Sequence, residues 1–178
     1  MKRRIISIAI ATFLLAILVG CQSHTQRKAD EPTSAVLAFD KRLAENGSVT
    51  FRSWNGKPYR MNSDTELAFF PNHTVEMLEW GMTATHYSGI YHVEPNGNIT
   101  ASFDDLQHAW PVTVLNKEGD SLILRPLADE EGFIVGLPRT ASVPKAANGF
   151  WPFRMLSGDE ERKVLDAMKQ LAKGASQK

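Results

Sequence analysis

This chain has a single cysteine, equal numbers of basic and acidic residues, and no apolar run as long as a membrane-spanning helix. Cys21 is the only cysteine among 178 residues, which excludes an intrachain disulfide framework and a cysteine-rich zinc site. Lysine and arginine together number 20, as do aspartate and glutamate. Three of the basic residues lie within the first twenty positions, so the remainder of the chain carries a formal charge of −3. A mildly acidic body without a basic stripe argues against nucleic-acid binding.

Motifs of the common enzyme and nucleotide-binding families are also missing. The chain contains no GxSxG, HExxH, P-loop or GxGxxG sequence. Residues 142–145 match the SxxK pattern of penicillin-binding enzymes, but Pro144 opposes the helical turn that this chemistry needs. His86 and His92 lie on one face of a predicted strand, about 20 Å apart, which is too far to share one metal ion. We therefore expect no metal, no cofactor and no catalytic activity.

The N-terminus has the features of a bacterial export signal. Lys2-Arg3-Arg4 is followed by fifteen uncharged residues, Ile5–Val19. This run is shorter than the roughly 20 residues of a spanning helix but fits the apolar core of a secretory signal. It ends in Leu18-Val19-Gly20-Cys21, which resembles the lipobox of bacterial lipoproteins. The resemblance implies cleavage before Cys21, a diacylglycerol on its sulfur, and a further acyl chain, such as palmitate, on the new amino terminus.

The lipoprotein interpretation divides the chain into three parts. Residues 1–20 form the signal peptide, residues 21–33 the lipidated cysteine and a flexible tether, and residues 34–174 a single β-rich globular domain. The tether has no large apolar residue and would reach about 40 Å when extended. Gln22 replaces the aspartate that retains lipoproteins in the inner membrane, which implies anchoring in the outer membrane, facing the periplasm. The alternatives are an uncleaved membrane anchor and a free thiol that occurs by chance.

Two amphipathic patterns bracket the predicted globular domain. The first has Thr33 at a capping position and an Asn46-Gly47 stop, and its apolar residues recur at helical spacing: Val36, Phe39 and Leu43. The second begins with Ser157 and Glu160 at capping-box spacing and carries a longer apolar stripe: Val164, Leu165, Met168, Leu171 and Ala172. These patterns predict an N-terminal helix and a C-terminal helix over Asp159–Lys173. We expect the C-terminal helix to pack on its own domain; the alternative is that its apolar stripe binds a partner.

Between the two helices the hydrophobic period changes to two, which is typical of strands. The sequence marks four turns: Asn55-Gly56, Pro71-Asn72-His73, Pro95–Asn98 and Asn116–Asp120. Gly89 interrupts one strand, which indicates a bulge or a close backbone approach. Residues 128–150 look like a long loop with at most one short strand, at Phe133–Val135. We therefore predict a mainly β (α+β) fold, an antiparallel meander of about eight strands that forms a small barrel or bent sheet.

Part of this region resembles the small bacterial lipocalin-like domains. The resemblance spans about a third of the chain, Thr65–Pro126, and rests on Gly89-Ile90-Tyr91 and on Asn96-Gly97-Asn98-Ile99. Asn72-His73 departs from the family, which more often has glycine there. The Gly-x-Trp of a lipocalin first strand is missing, and Ser53-Trp54 is a loose substitute. The resemblance implies a barrel without specifying a ligand.

Aromatic residues are the candidate ligand contacts in such a barrel, namely Trp54, Trp80, Tyr87, Tyr91, Trp110 and Trp151. In a barrel of this size, side chains usually fill the interior, so core packing is the competing interpretation. We expect a non-enzymatic outer-membrane lipoprotein that binds a small apolar ligand or an envelope protein partner. Two alternatives remain: an envelope-acting hydrolase that uses acidic loops such as Asp104-Asp105 and 129–131, and an assembly or inhibitor subunit that uses the exposed sheet face.

Overall fold

The computed structural model describes residues 31–53, 65–80, 83–107, 109–138 and 152–175. Helix α1 (Ser34–Asn46) comes first, and helix α2 (Asp159–Ala175) comes last. Between them lie the strands β1 (Val49–Ser53), β2 (Thr65–Phe69), β3 (Thr74–Trp80), β4 (Ala84–Val93), β5 (Asn98–Phe103), β6 (Thr113–Glu118), β7 (Ser121–Pro126) and β8 (Phe153–Met155). This order confirms the predicted arrangement of a β-rich body between two helices.

The eight strands form a closed antiparallel barrel in which each strand pairs with its neighbours in the chain. Strand β8 completes the ring because Phe153 lies opposite both Ser53 of β1 and Leu124 of β7. Closure leaves each strand with partners on both sides, which removes the free sheet edges that favour aggregation. The predicted barrel is therefore confirmed, and the bent open sheet is not formed.

One strand of the barrel was not predicted. The sequence allowed at most one short strand within residues 128–150, at Phe133–Val135, and the structure has an isolated bridge there between Ala128 and Ile134. The eighth strand is Phe153–Met155, which lies shortly before α2. Three residues are too few to show a period of two, so sequence patterning does not identify this strand.

The described turns agree closely with the predicted ones. At the β2–β3 turn the N–H of Phe70 donates to the carbonyl of Thr74 at 3.0 Å, and His73 adopts a left-handed φ of 62°. The β6–β7 turn is tighter than predicted, because β6 continues to Glu118 and only Gly119-Asp120 connect the strands. The predicted turn at Asn55-Gly56 lies outside the described residues.

Helix α1 covers the barrel end at which the short turns lie. Thr33 caps it by accepting a hydrogen bond from the Val36 N–H at 3.3 Å, and Gly47 ends it in a left-handed conformation. The N–H of Thr33 also donates to Pro95 O in the β4–β5 turn, whereas Arg42 donates to Asp120 O in the β6–β7 turn. The helix is therefore fixed to two turns on the rim, with its apolar stripe directed into the barrel.

Helix α2 packs on the outside of the barrel, as its single apolar stripe predicts. Val164 and Met168 are buried against Ala68 and Leu78 on the outward faces of β2 and β3. Its capping residue is Gly158, whose carbonyl accepts the Arg162 N–H at 3.2 Å, so the predicted cap at Ser157 was wrong. In the described part of the chain, neither helix is both long enough and apolar enough to cross a bilayer.

Candidate functional site

The middle of the barrel is filled by its own side chains. Phe51, Leu67, Met77 and Leu124 alternate inward on four different strands and are at most 1% exposed. At the end opposite α1, the Trp110 ring packs edge-to-face on neighbouring rings, with centroids 5.5 Å from Phe103 and 6.2 Å from Phe153. Core packing is therefore the role of the central residues, and a ligand would need to bind elsewhere.

A groove of about 370 Å³ runs between α1 and the adjoining rim of the barrel. The helix contributes one face of its surface: Val36, Phe39, Asp40, Leu43 and Ala44. The barrel contributes residues of the β2–β3 turn and of β4: Pro71, His73, Tyr91, His92 and Val93. The volume lies at the small end of the roughly 300–1,000 Å³ that is typical of ligand sites, and the lining is mostly apolar. The groove is the candidate functional site.

Helical geometry explains the helix side of the groove. Val36, Phe39 and Leu43 recur at spacings of three and four, so they lie on one face of α1. The Phe39 ring packs edge-to-face on Phe69 and on Tyr91, with centroid distances of 5.7 and 6.2 Å. Because these rings belong to the main core, the floor of the groove is rigid and apolar.

Hydrogen bonds hold the barrel side of the groove. The N–H of Tyr91 donates to the carbonyl of His73 at 2.9 Å, which ties the β2–β3 turn to β4. Asn72 Oδ1 accepts bonds from the Thr74 N–H at 3.3 Å and from the Thr74 hydroxyl at 2.6 Å. Left-handed φ values are uncommon outside glycine, although histidine adopts them more readily than most residues. The turn thus holds the His73 side chain at the rim.

Tyr91 forms the link between the groove and the core. Its ring is 7% exposed, and its hydroxyl donates to the Phe70 carbonyl at 2.9 Å. Burial raises the pKa of Tyr91 from 10.0 to about 12, and the negative charge of Asp40 adds to the rise. Tyr91 is therefore a neutral wall of the site, with its hydroxyl proton already donated to the backbone.

The polar groups of the groove lie at its rim. Asp40 of α1 is exposed, as are His73 in the turn and His92 on the outward face of β4. The lining includes neither lysine nor arginine, so Asp40 gives the groove a charge of −1 when histidine is counted as neutral. Within the described ranges, no three His, Cys, Asp or Glu side chains come together as metal ligands.

The structure separates the aromatic residues that the sequence suggested as ligand contacts. Tyr91 lines the groove, whereas Tyr87 and Trp110 are half-buried and pack on the barrel core. Trp80 lies on the outer face of β3, where its indole N–H donates to Glu66 Oε2 at 2.9 Å, so it cannot line the interior. Three further predicted residues lie outside the described ones: Cys21, Trp54 and Trp151.

Strand alternation points Trp80 outward, since Val75 and Met77 of β3 point into the core. Glu66 holds the outward indole in place. Its carboxylate is almost fully buried, and Arg52 donates to Oε1 through both Nε and Nη2 at 2.7 Å. The Trp80 indole N–H donates to the second oxygen, Oε2, so each oxygen of the Glu66 carboxylate accepts a hydrogen bond. The cluster joins β1, β2 and β3 on the outside of the barrel, and Trp80 acts in it as a structural residue.

Asp129, part of an acidic loop considered for catalysis, stabilises its own turn. Its Oδ1 accepts hydrogen bonds from the N–H groups of Glu131 at 3.0 Å and Phe133 at 2.9 Å. Its own N–H donates to the Phe133 carbonyl at 2.8 Å. This is the local bonding that makes aspartate common in turns.

Comparisons with protein-family models, with characterised proteins and with solved structures found no significant match for this chain. The groove and the N-terminal sequence are therefore the features of the chain that bear on its function.

Proposed function

We propose that this protein is a non-enzymatic lipoprotein of the bacterial outer membrane that binds a small apolar ligand in the groove beside α1. The groove carries the proposal, because it combines a rigid apolar floor with polar groups confined to its rim. Ligand sites are commonly built in this way, with apolar contacts for affinity and a few polar groups for orientation.

The groove is suited to weak, reversible binding. It is open along one side, so we take about half of an octyl chain as buried within it. At about 0.8 kcal/mol per buried CH₂, that contact contributes about 3 kcal/mol, which corresponds to a Kd of several millimolar. Such an affinity suits a protein that takes up and releases a ligand close to the membrane in which the ligand dissolves.

The position of the tether supports this arrangement. Helix α1 begins at Ser34, thirteen residues after the proposed lipidated Cys21. The hydrogen bond from the Thr33 N–H to Pro95 O, 2.9 Å long, fixes the end of the tether beside the β4–β5 turn. Val93, two residues before Pro95, lines the groove. A tether of at most about 40 Å would therefore hold the groove near the bilayer surface.

Photoaffinity labelling of the full-length lipoprotein in lipid nanodiscs tests the proposal. An octyl-length alcohol that carries a diazirine is titrated, and the labelled peptides are identified by mass spectrometry. We expect saturable labelling of peptides from α1 and β4. Ala44→Trp fills the groove and should abolish this labelling, whereas Glu45→Trp places the same ring on the neighbouring position outside the lining.

Labelling that survives Ala44→Trp at full strength would show that the probe binds elsewhere, and the groove would lose its assigned role. Absence of saturable labelling in the unaltered protein would contradict ligand binding altogether. Equal loss in both tryptophan variants would indicate a general disturbance of α1, which circular dichroism of each variant detects.

A further inference from the structure

We propose that the groove selects amphiphiles whose polar end is a cationic amine, which pairs with the carboxylate of Asp40. This inference rests on the proposed ligand-binding function and specifies the chemistry of the ligand. It depends on the position of Asp40 in the lining, on the lack of lysine and arginine among the described lining residues, and on the apolar floor below Asp40.

Asp40 is the charged residue of the groove and has no ionic partner in the described part of the chain. Its basic neighbours on α1 are engaged elsewhere. Lys41 Nζ lies 3.8 Å from Glu45 Oε1, and Arg42 donates to the Asp120 carbonyl in the β6–β7 turn at 3.4 Å. The Asp40 carboxylate is therefore available to a ligand.

The electrostatic influence of Asp40 reaches into the groove. Its negative charge contributes to the raised pKa of Tyr91, whose ring forms part of the wall. Because the Asp40 carboxylate disfavours the negative charge of an ionised Tyr91, it also repels a carboxylate or phosphate group of a ligand. A cation at the same place is attracted, and its alkyl chain extends over Phe39 and Leu43.

Histidine is the competing anchor, because protonated imidazole would attract an anion. His73 of the β2–β3 turn and His92 of β4 are among the residues that line the groove. At pH 8, above the range in which histidine usually gains charge, the carboxylate governs the choice of ligand. An alkylamine remains protonated at this pH, because primary amines such as that of lysine ionise near pKa 10.4.

The test compares three octyl-length diazirine probes that differ only in the polar end: an amine, an alcohol and a carboxylate. Each is titrated at pH 8 against the full-length lipoprotein in nanodiscs of zwitterionic phosphatidylcholine. Asp40→Asn should weaken the amine about fivefold, the upper range for an ion pair with exposed partners, and should leave the alcohol unchanged. Glu45→Gln is the matched control, since it removes the same charge from the next turn of α1 outside the lining; the two variants and their reference protein all carry Lys41→Ala, so that the loss of Glu45 releases no cation beside Asp40.

The comparison of each variant with the reference protein is made for a single probe, so partitioning of the probe into lipid cancels. Loss of amine labelling in Asp40→Asn, with retention in Glu45→Gln, supports the inference. If amine labelling weakens equally in both variants, the effect comes from the general charge of α1 and not from a pair with Asp40, and the inference is wrong. If all three probes bind equally and are blocked by Ala44→Trp, ligand binding stands while amine selection fails. If the carboxylate binds best, the groove selects anions and the inference is wrong. If no probe labels the groove, the proposed function fails as well.

Discussion

Gly89→Ala is the substitution for which the structure predicts the clearest energetic penalty. Gly89 lies in the middle of β4, opposite Val75 of β3 and Phe103 of β5. A Cβ atom at this position would lie 2.8 Å from the Phe103 Cα and 2.9 Å from the Ser102 carbonyl carbon, and it would also collide with the Ser102 oxygen. These are backbone atoms, so no change of side-chain rotamer relieves the contact. Strands β4 and β5 would have to separate.

The expected loss in the free energy of unfolding has two contributions. Overpacking of a filled interior typically costs 1–3 kcal/mol, and each weakened ladder hydrogen bond costs about 1 kcal/mol more. We therefore expect a loss of about 3 kcal/mol in the free energy of unfolding. For a domain of this size that loss lowers the melting temperature by about 10 °C, measured by circular dichroism of the full chain in detergent.

Gly174→Ala is the matched control, because Gly174 lies in α2 with no heavy atom within 4 Å of the added Cβ. That change should leave stability unaltered or raise it by up to about 1 kcal/mol, since alanine favours helix. If Gly89→Ala melts within about 1 °C of the unaltered protein, the close approach of β4 and β5 is not present and the reasoning is refuted.

Three further predictions concern α2, Tyr91 and the anchor. Met168→Ala should destabilise the protein by about 2–5 kcal/mol because Met168 is fully buried beneath α2, whereas Gln170→Ala on the exposed side should have little effect in the same denaturant titration. Burial raises the pKa of Tyr91 from 10.0 to about 12, so the folded state holds this proton more tightly than the unfolded chain. Its stabilising effect is complete below pH 10 and disappears as the pH rises to about 12. Absorbance at 295 nm should therefore show a late tyrosine titration that Tyr91→Phe removes; an unchanged curve would refute the assignment. Cys21→Ala should abolish incorporation of labelled palmitate, and incorporation that persists would refute the lipobox interpretation.

Local patterns in the sequence predict most elements of this fold. Val36, Phe39 and Leu43 lie where their helical spacing places them, in the core beneath α1. The β2–β3 turn forms at Pro71-Asn72-His73, because proline and asparagine favour turn geometry. Of the two meanings predicted for Gly89, a bulge or a close approach, the continuous register of β4 selects the close approach.

Long-range features are less accessible from the sequence. Strand β8 is specified by its partners in β1 and β7, which its three residues do not reveal. The hydrogen bond that holds the Trp80 indole depends on Glu66, a buried carboxylate fourteen positions earlier on a different strand. The groove was missed for the same reason. Asp40 and His73 are separated by the whole of β1 and β2, and only the packing of α1 on the barrel rim brings them to one site.

Photoaffinity labelling of the full-length chain in nanodiscs, with the octyl-length amine probe titrated to millimolar concentrations at pH 8, tests the central claim most directly. We expect saturable labelling of peptides from α1 and β4 in the unaltered protein and in Glu45→Trp, and no such labelling in Ala44→Trp. Absence of saturable labelling in the unaltered protein, or labelling of these peptides that persists in Ala44→Trp, would contradict ligand binding in the groove.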